Sequence, residues 1–299
     1  MKKKFAIIEN SQKQSRKKAI FDYIIEKSNI NLCTESMYCD KDGFQDLIDS
    51  LRSSNYSGAQ VSSSFKTHAF SVADLTTERA ISCKMANTLT FSDGRIYADN
   101  TYGHSIVSDI ENNLGITLSE KKVIIISSNN NMFTCLLSEI EKRDIKQIFL
   151  ASRSPEKISS ILEENDQLSP HTFSIHIDDI EGLFDVIINT TNVIFSEKNN
   201  PFSTRHWAKG ALAYDINISG SEYNHFLESA KSENITTRDG TGFMIEQAVE
   251  SISVWVGEKI ERSLVKELIE SITNKTSSSE NVTTIIKLLN DRQQAQQSI

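Results

Sequence analysis

Three short segments of this chain carry side chains able to transfer protons or donate hydrogen bonds. They are Ala59-Gln-Val-Ser-Ser-Ser-Phe-Lys66, Met85-Ala-Asn-Thr-Leu89 and Gly94-Arg-Ile-Tyr-Ala-Asp-Asn-Thr-Tyr-Gly103. Among them stand an amine at Lys66, a carboxamide at Asn87 and a phenol at Tyr102. An ammonium group lowers the pKa of a neighbouring phenol, so a lysine beside a tyrosine can form a proton-transferring pair. Asp99 offers no carboxylate at the same place: three residues upstream in an extended segment, its side chain points to the opposite face. Metal chemistry is not indicated. Cys33, Cys39, Cys83 and Cys135 form no CxxC pair, and the six histidines are scattered without ligand spacing.

These residues need a scaffold, and the apolar pattern predicts one. Residues 4–8 read as a buried strand, and 14–27 place Ala19, Ile20, Tyr23, Ile24 and Ile25 at helical spacing. Phe44, Leu47, Ile48 and Leu51 recur at i, i+3, i+4 and i+7, an amphipathic helix ending near residue 53. A second strand covers 58–62 and a helix covers 72–79. Asp93-Gly94 between β-formers predicts a hairpin joining 87–91 to 95–97. From about residue 104 the character changes. A helix over 105–114 leads to a strand over 121–126, whose continuous apolar run suits a parallel sheet covered on both faces. Helices over 131–143 and 155–165 alternate with strands over 147–151, 173–177, 185–188 and 211–215. That alternation predicts a doubly wound α/β domain. Helices over 242–262 and 264–272 follow, then a short terminal helix over 282–290 and a frayed tail from about 291.

A chain of 299 residues holds two ordinary domains, and 38% hydrophobic with 24% charged residues describes a soluble globular protein. The net charge of −8 argues against nucleic acid as a partner. The basic clusters at Lys2 to Lys4 and Arg16 to Lys18 read as surface. The apolar run after Lys4 stops at Glu9, too short for a signal sequence, and no segment nears the roughly 18 apolar residues of a membrane helix. A cytoplasmic protein is expected, with its cysteines as small apolar fillers.

In their order along the chain, these motifs resemble those of the shikimate dehydrogenase family, from Phe5 to about Gly257. The family patterns are NPxxHSxS, NVTxPxK, xxNT, NTDG and DGxGMLxxQA. The resemblance implies an N-terminal α/β substrate domain of residues 1–103 and 243–299, with the C-terminal helices packing back on it. It implies a Rossmann-like, doubly wound dinucleotide-binding domain over 104–242. Lys66 matches the catalytic lysine, Asn87 the asparagine that binds a ring hydroxyl, and Ser62 keeps the hydroxyl of a threonine, while Ser64 replaces proline. Ser15 matches the first of two serines that hold the substrate carboxylate. Lys17 replaces the second, and either meets that carboxylate by charge or stands as surface charge. Gln247, in Asp239-Gly-Thr-Gly242-Phe-Met-Ile-Glu-Gln247-Ala, falls on a substrate-binding glutamine. The departure is at Tyr102, which stands where the family has the aspartate partner of the catalytic lysine.

The cofactor implied is NADP. Where the family has a glycine-rich GAGGA turn, this chain has Ser127-Ser-Asn-Asn-Asn131, without a glycine. Ser127, Asn129 and Asn130 would line the phosphates there, and the loss of glycine's close approach predicts weak binding. Arg153 matches the arginine that meets the 2′-phosphate of NADP, Asn189-Thr-Thr-Asn192 resembles the NATS turn near the nicotinamide, and Ile218 stands where a tyrosine is expected. Gly240 joins the cofactor set and also suits the turn that enters the last long helix.

Three functions are compatible with these residues. One is a diverged homologue with little or no dehydrogenase activity, kept as a ligand-binding or interaction protein. Another is a working NADP-dependent dehydrogenase of aromatic amino-acid biosynthesis, acting on shikimate or a related polyol acid. The third is a structural partner, such as a homodimer, with no ligand. Changes at the dyad, the glycine turn and the carboxylate loop together favour the first.

Overall fold

The computed structural model describes residues 2–10, 16–128, 130–163, 171–218 and 224–273. They divide into two compact units, one within residues 1–105 and 244–299 and one within 106–243. The expected terminal helix over 282–290 and the tail beyond it lie outside the described residues. No described helix is long and apolar enough to cross a membrane.

In the first unit, β1 (Lys3–Glu9), α1 (Arg16–Lys27), β2 (Leu32–Tyr38), α2 (Phe44–Ser53) and β3 (Tyr56–Val61) open the chain. A turn of 3₁₀ helix leads to α3 (Lys66–Ser71), β4 (Leu75–Thr76), α4 (Glu78–Cys83), β5 (Thr88–Ser92), β6 (Arg95–Asp99) and α5 (Tyr102–Ser108). The strands form one mixed sheet in the order β2-β1-β3-β5-β6-β4. The apolar run of β1 is explained by burial on both faces. Ala6 and Ile8 enter a core with Phe44, Ile48 and Phe65, whereas Phe5 and Ile7 enter another with Ile20, Ile24 and Trp255.

The second unit contains β7 (Lys122–Ile126), α6 (Asn130–Ile140), β8 (Gln147–Ser152), α7 (Pro155–Glu163), β9 (Thr172–His176), β10 (Phe184–Asn189), β11 (Trp207–Asp215), α8 (His225–Ser232) and β12 (Thr236–Arg238). Every strand pair is parallel, and the order is β12-β11-β10-β7-β8-β9. Numbered within the unit, this is 3-2-1-4-5-6, the doubly wound arrangement. Its order reverses between β7 and β10, where such sheets hold ligands beyond their carboxyl ends. Helices α9 (Thr241–Val256) and α10 (Arg262–Thr273) are the last described elements. From Met244 onward they belong to the first unit, where the Trp255 ring stacks on Phe5 at 4.1 Å.

Several elements differ from the sequence pattern. The helix expected over 72–79 is instead the turn after α3, the edge strand β4 and the start of α4. Asp74 breaks it: its side chain accepts from Ile96 N–H at 2.7 Å, and its own N–H donates to Ile96 O at 2.9 Å. Those two bonds pull the chain onto the edge of β6. The long helix expected over 242–262 stops at Val256, because Gly257 adopts φ +75° and ends it. The helix expected over 105–114 begins at Tyr102 and finishes in a π turn over Asp109–Asn113.

Candidate functional site

The first unit gathers its polar residues at the carboxyl ends of β1 and β3. Ser62 N–H donates to Ile8 O at 2.9 Å, which extends the β1–β3 pairing and sets Ser62 beside Glu9. The following turn is held by Phe65, buried and stacked on Phe44 at 5.1 Å. That anchor fixes where α3 starts, and Lys66 is its first residue. The Lys66 carbonyl accepts from Ala86 N–H at 2.9 Å, so the strand carrying Asn87 is tied to the same turn.

Asn87 is fully buried and spans to the next segment. Its Nδ2 donates to Thr101 Oγ1 at 2.9 Å, and its Oδ1 accepts from Thr101 N–H at 3.0 Å and Thr88 Oγ1 at 3.1 Å. The amide thus works as a clamp on the segment leading to residue 102. Tyr102 opens α5, with its N–H donating to Asn100 Oδ1 at 3.0 Å. The side chain is 1% exposed, and Lys66 Nζ lies 4.4 Å from its ring centroid, itself only 6% exposed. Lys66 and Tyr102 are brought together.

Asp99 goes the other way. Arg79 donates to it twice at 2.6 Å, Thr77 Oγ1 at 2.6 Å and Asn100 N–H at 2.7 Å. Burial works to raise its pKa, but these partners hold the carboxyl below its usual range. Arg79 also bonds Glu250 of α9 at 2.8 Å. This carboxylate is structural and wholly engaged with Arg79 and its neighbours.

Lys17 is partly buried. Burial, opposed by Glu9 and aided by Lys66, brings its amine down to about 8. Glu9, which the sequence reading did not single out, closes β1; a carboxylate ending a buried apolar strand was the available signal. Gln247 on α9 is 8% exposed, and its Nε2 finds no hydrogen-bond partner among the described residues. The same holds for Gln60 Oε1, Ser62 Oγ and Glu9 Oε2. Gln60 pairs in register with Ile7, so it faces the side of the sheet that α9 covers. Ser15 lies outside the described residues.

The second unit holds a cavity of about 630 Å³ beyond the ends of β7, β8 and β10, at the order reversal. Ser127, Ser128, Arg153, Lys157, Thr191 and Lys198 are among its lining residues. Three cations against the one carboxylate of Asp178 suit an anionic ligand, and Arg153 offers a planar fork for a phosphate. Lys157 was missed in the sequence; its signal is the four-residue spacing from Arg153, in the first turn of α7. Neither Ser127 nor Ser128 has positive φ. The turn therefore does not need glycine for its conformation at these positions, and what the serines change is the closeness of approach. Asn129 lies outside the described residues, and Asn130 begins α6.

Asn189 builds the turn after β10. Its Oδ1 accepts from Thr191 N–H at 3.1 Å and Oγ1 at 2.8 Å, while its Nδ2 donates to Asp215 at 3.1 Å. Asp215 is fully buried, and burial raises its carboxyl although Asn224 and Asn217 also donate to it. Gly240 has a packing reason for its identity: a Cβ there would stand 1.9 Å from Ile216 O. No cluster of three or more histidine, cysteine, aspartate or glutamate residues suited to a metal occurs among the described residues.

Residues 7–89 match the family model described as the shikimate dehydrogenase substrate binding domain. The chain is 30% identical over 263 residues to the shikimate dehydrogenase (NADP(+)) of Cupriavidus necator, covering 85% of this chain and 88% of that one. It is also 30% identical over 269 residues to the protein of the same name from Aromatoleum aromaticum, covering 88% and 95%. Among solved structures, an Ael1 enzyme from Pseudomonas putida superposes with a TM-score of 0.81 at 26% identity, over 89% of this chain and 98% of that one.

Proposed function

Because the chain belongs to the shikimate dehydrogenase family, we propose that it binds a small hydroxylated carboxylate of the shikimate class and turns it over very slowly or not at all. The observation that carries this reading is Tyr102, buried beneath the Lys66 ammonium at the place where the resemblance puts an aspartate.

Reducing a ketone requires a proton at the developing alkoxide, and Lys66 is the group to deliver it. A carboxylate partner would orient the amine and take part in the proton's return. An aromatic face holds an ammonium by its quadrupole but has no lone pair to receive a proton. Loss of such an acid–base partner costs roughly 10²–10⁴-fold in rate. NADP, when bound, would supply or accept the hydride. Arg153 and Lys157 fit its 2′-phosphate, and Ser127 and Ser128 stand at the phosphate turn. Asn87, Ser62 and Gln247 are the groups that would meet ligand hydroxyls. Initial rates with NADP and shikimate test the reading; a kcat/KM of about 10⁴ M⁻¹s⁻¹ or more, the ordinary enzyme range, would refute it.

A second reading is a working NADP-dependent dehydrogenase of a different polyol acid. The cation-lined cavity in the second unit favours it. In that case the Tyr102 phenol and Lys66 form the proton-transferring pair. Turnover of another acid, abolished in Tyr102→Phe, would establish this reading.

A further inference from the structure

The sheet of the first unit ends at β4, and the apolar side chains at that edge are left uncovered. Leu75 of β4 pairs in register with Tyr97 of β6, so the two side chains stand on one face. Asp99, two residues beyond Tyr97, shares that face and is covered there by Arg79, which also reaches Glu250 of α9. The cover stops short of the neighbouring pair: Leu75 is 43% exposed and Tyr97 37%. Ile81, on the helix α4 that follows β4, is 54% exposed. Among the described residues of the first unit four large apolar side chains are exposed, and three come from these adjoining elements. A single exposed apolar residue needs no partner, but a contiguous set marks an interaction surface.

The backbone of this edge is a poor recruiter. Strand β4 is only two residues long, too few to template the pairing of another strand, so a partner must use the side chains. Two charges frame them. Arg95 opens β6 two residues before Tyr97 and stands on the same face. Glu78 opens α4 three residues after Leu75. Because β4 and β6 are parallel, Arg95 lies toward the amino end of the Leu75–Tyr97 pair and Glu78 beyond its carboxyl end. Both are exposed, and neither side chain has an ion pair or hydrogen bond among the described residues.

We propose that this face is a two-fold interface with a second copy of the chain, centred on Leu75 and Tyr97. Rotation about an axis through that pair returns the apolar patch against itself. It also sets Arg95 of each copy against Glu78 of the partner subunit. An isologous contact demands such self-complementarity, and one cation and one anion at opposite ends of an apolar centre supply it. A different protein would have to present the same arrangement in reverse, whereas a second copy does so by symmetry. The association requires no ligand, and none of its residues belongs to the Lys66 site.

The test is sedimentation of the whole protein over about 1 to 100 µM, the range of a small interface. The measured mass should climb toward twice the 33.6 kDa of one chain as concentration rises. Leu75→Lys should weaken association about tenfold or more, with an unfolding curve like the wild type's because the position is exposed. Arg95→Glu and Glu78→Arg should each weaken it about tenfold by setting like charges together. The variant carrying both should return to within about threefold of the wild type, a recovery that a damaged fold could not give. A monomer at every concentration, association untouched by Leu75→Lys, or a double charge variant no tighter than the single ones would each overturn the proposal.

Discussion

The Lys66 ammonium lies 4.4 Å from the centre of the Tyr102 ring, and both side chains are almost wholly shielded from water. A desolvated cation on an aromatic face gains up to about 2 kcal/mol. That stabilises the charged form of the amine.

The Arg79–Asp99 pair predicts an acid limb of stability. Asp99 has a folded pKa below its unfolded value, so its contribution is present above about pH 4, the unfolded value, and is lost as pH falls through the folded one. Asp99→Asn should destabilise the protein by about 3 kcal/mol, the low end for breaking a buried pair, since Arg79 keeps 21% of its side chain exposed. Denaturant unfolding at pH 7 and pH 3 checks this: the wild type and variant should differ at pH 7 and converge toward pH 3.

Gly240 separates a packing role from a ligand role. With Ile216 O only 1.9 Å from an added Cβ, Gly240→Ala must move backbone and should cost about 1–3 kcal/mol, as overpacking does. Thermal unfolding without any ligand reads this directly. An unchanged midpoint with weakened NADP binding would assign the residue to the cofactor instead.

Arg153 and Lys157 predict recognition of a phosphate in the second unit. Calorimetry with 2′,5′-ADP and with 5′-AMP should show preference for the former. Arg153→Gln and Lys157→Gln should each reduce that preference about tenfold, the value of one charge-assisted hydrogen bond. Equal binding of both nucleotides by the wild type would contradict the assignment.

Much of this architecture was legible along the chain. The apolar runs of β1 and β7 announced strands covered on both faces, and Asp93-Gly94 marked the hairpin between β5 and β6. Tyr102 was readable as a substitution because its flanking Asn100, Thr101 and Gly103 keep the family pattern. What was hidden depends on contacts distant in sequence. Asp74 breaks a helical pattern through bonds to Ile96, and β2 has mixed residues whose strand form comes from pairing with β1. The effect of Glu9 and Lys66 on the Lys17 amine joins three elements, so no local spacing could reveal it. Lys17 looked like one more lysine in a basic run.

The most direct measurement compares initial rates of the wild type and Tyr102→Asp with NADP and shikimate at pH 7.5. Opening the space beneath Lys66 and returning a carboxylate to it should raise kcat/KM by about 10²-fold or more over a wild-type rate near background. A wild type already turning over as an ordinary enzyme, and slowed by the aspartate, would contradict the account.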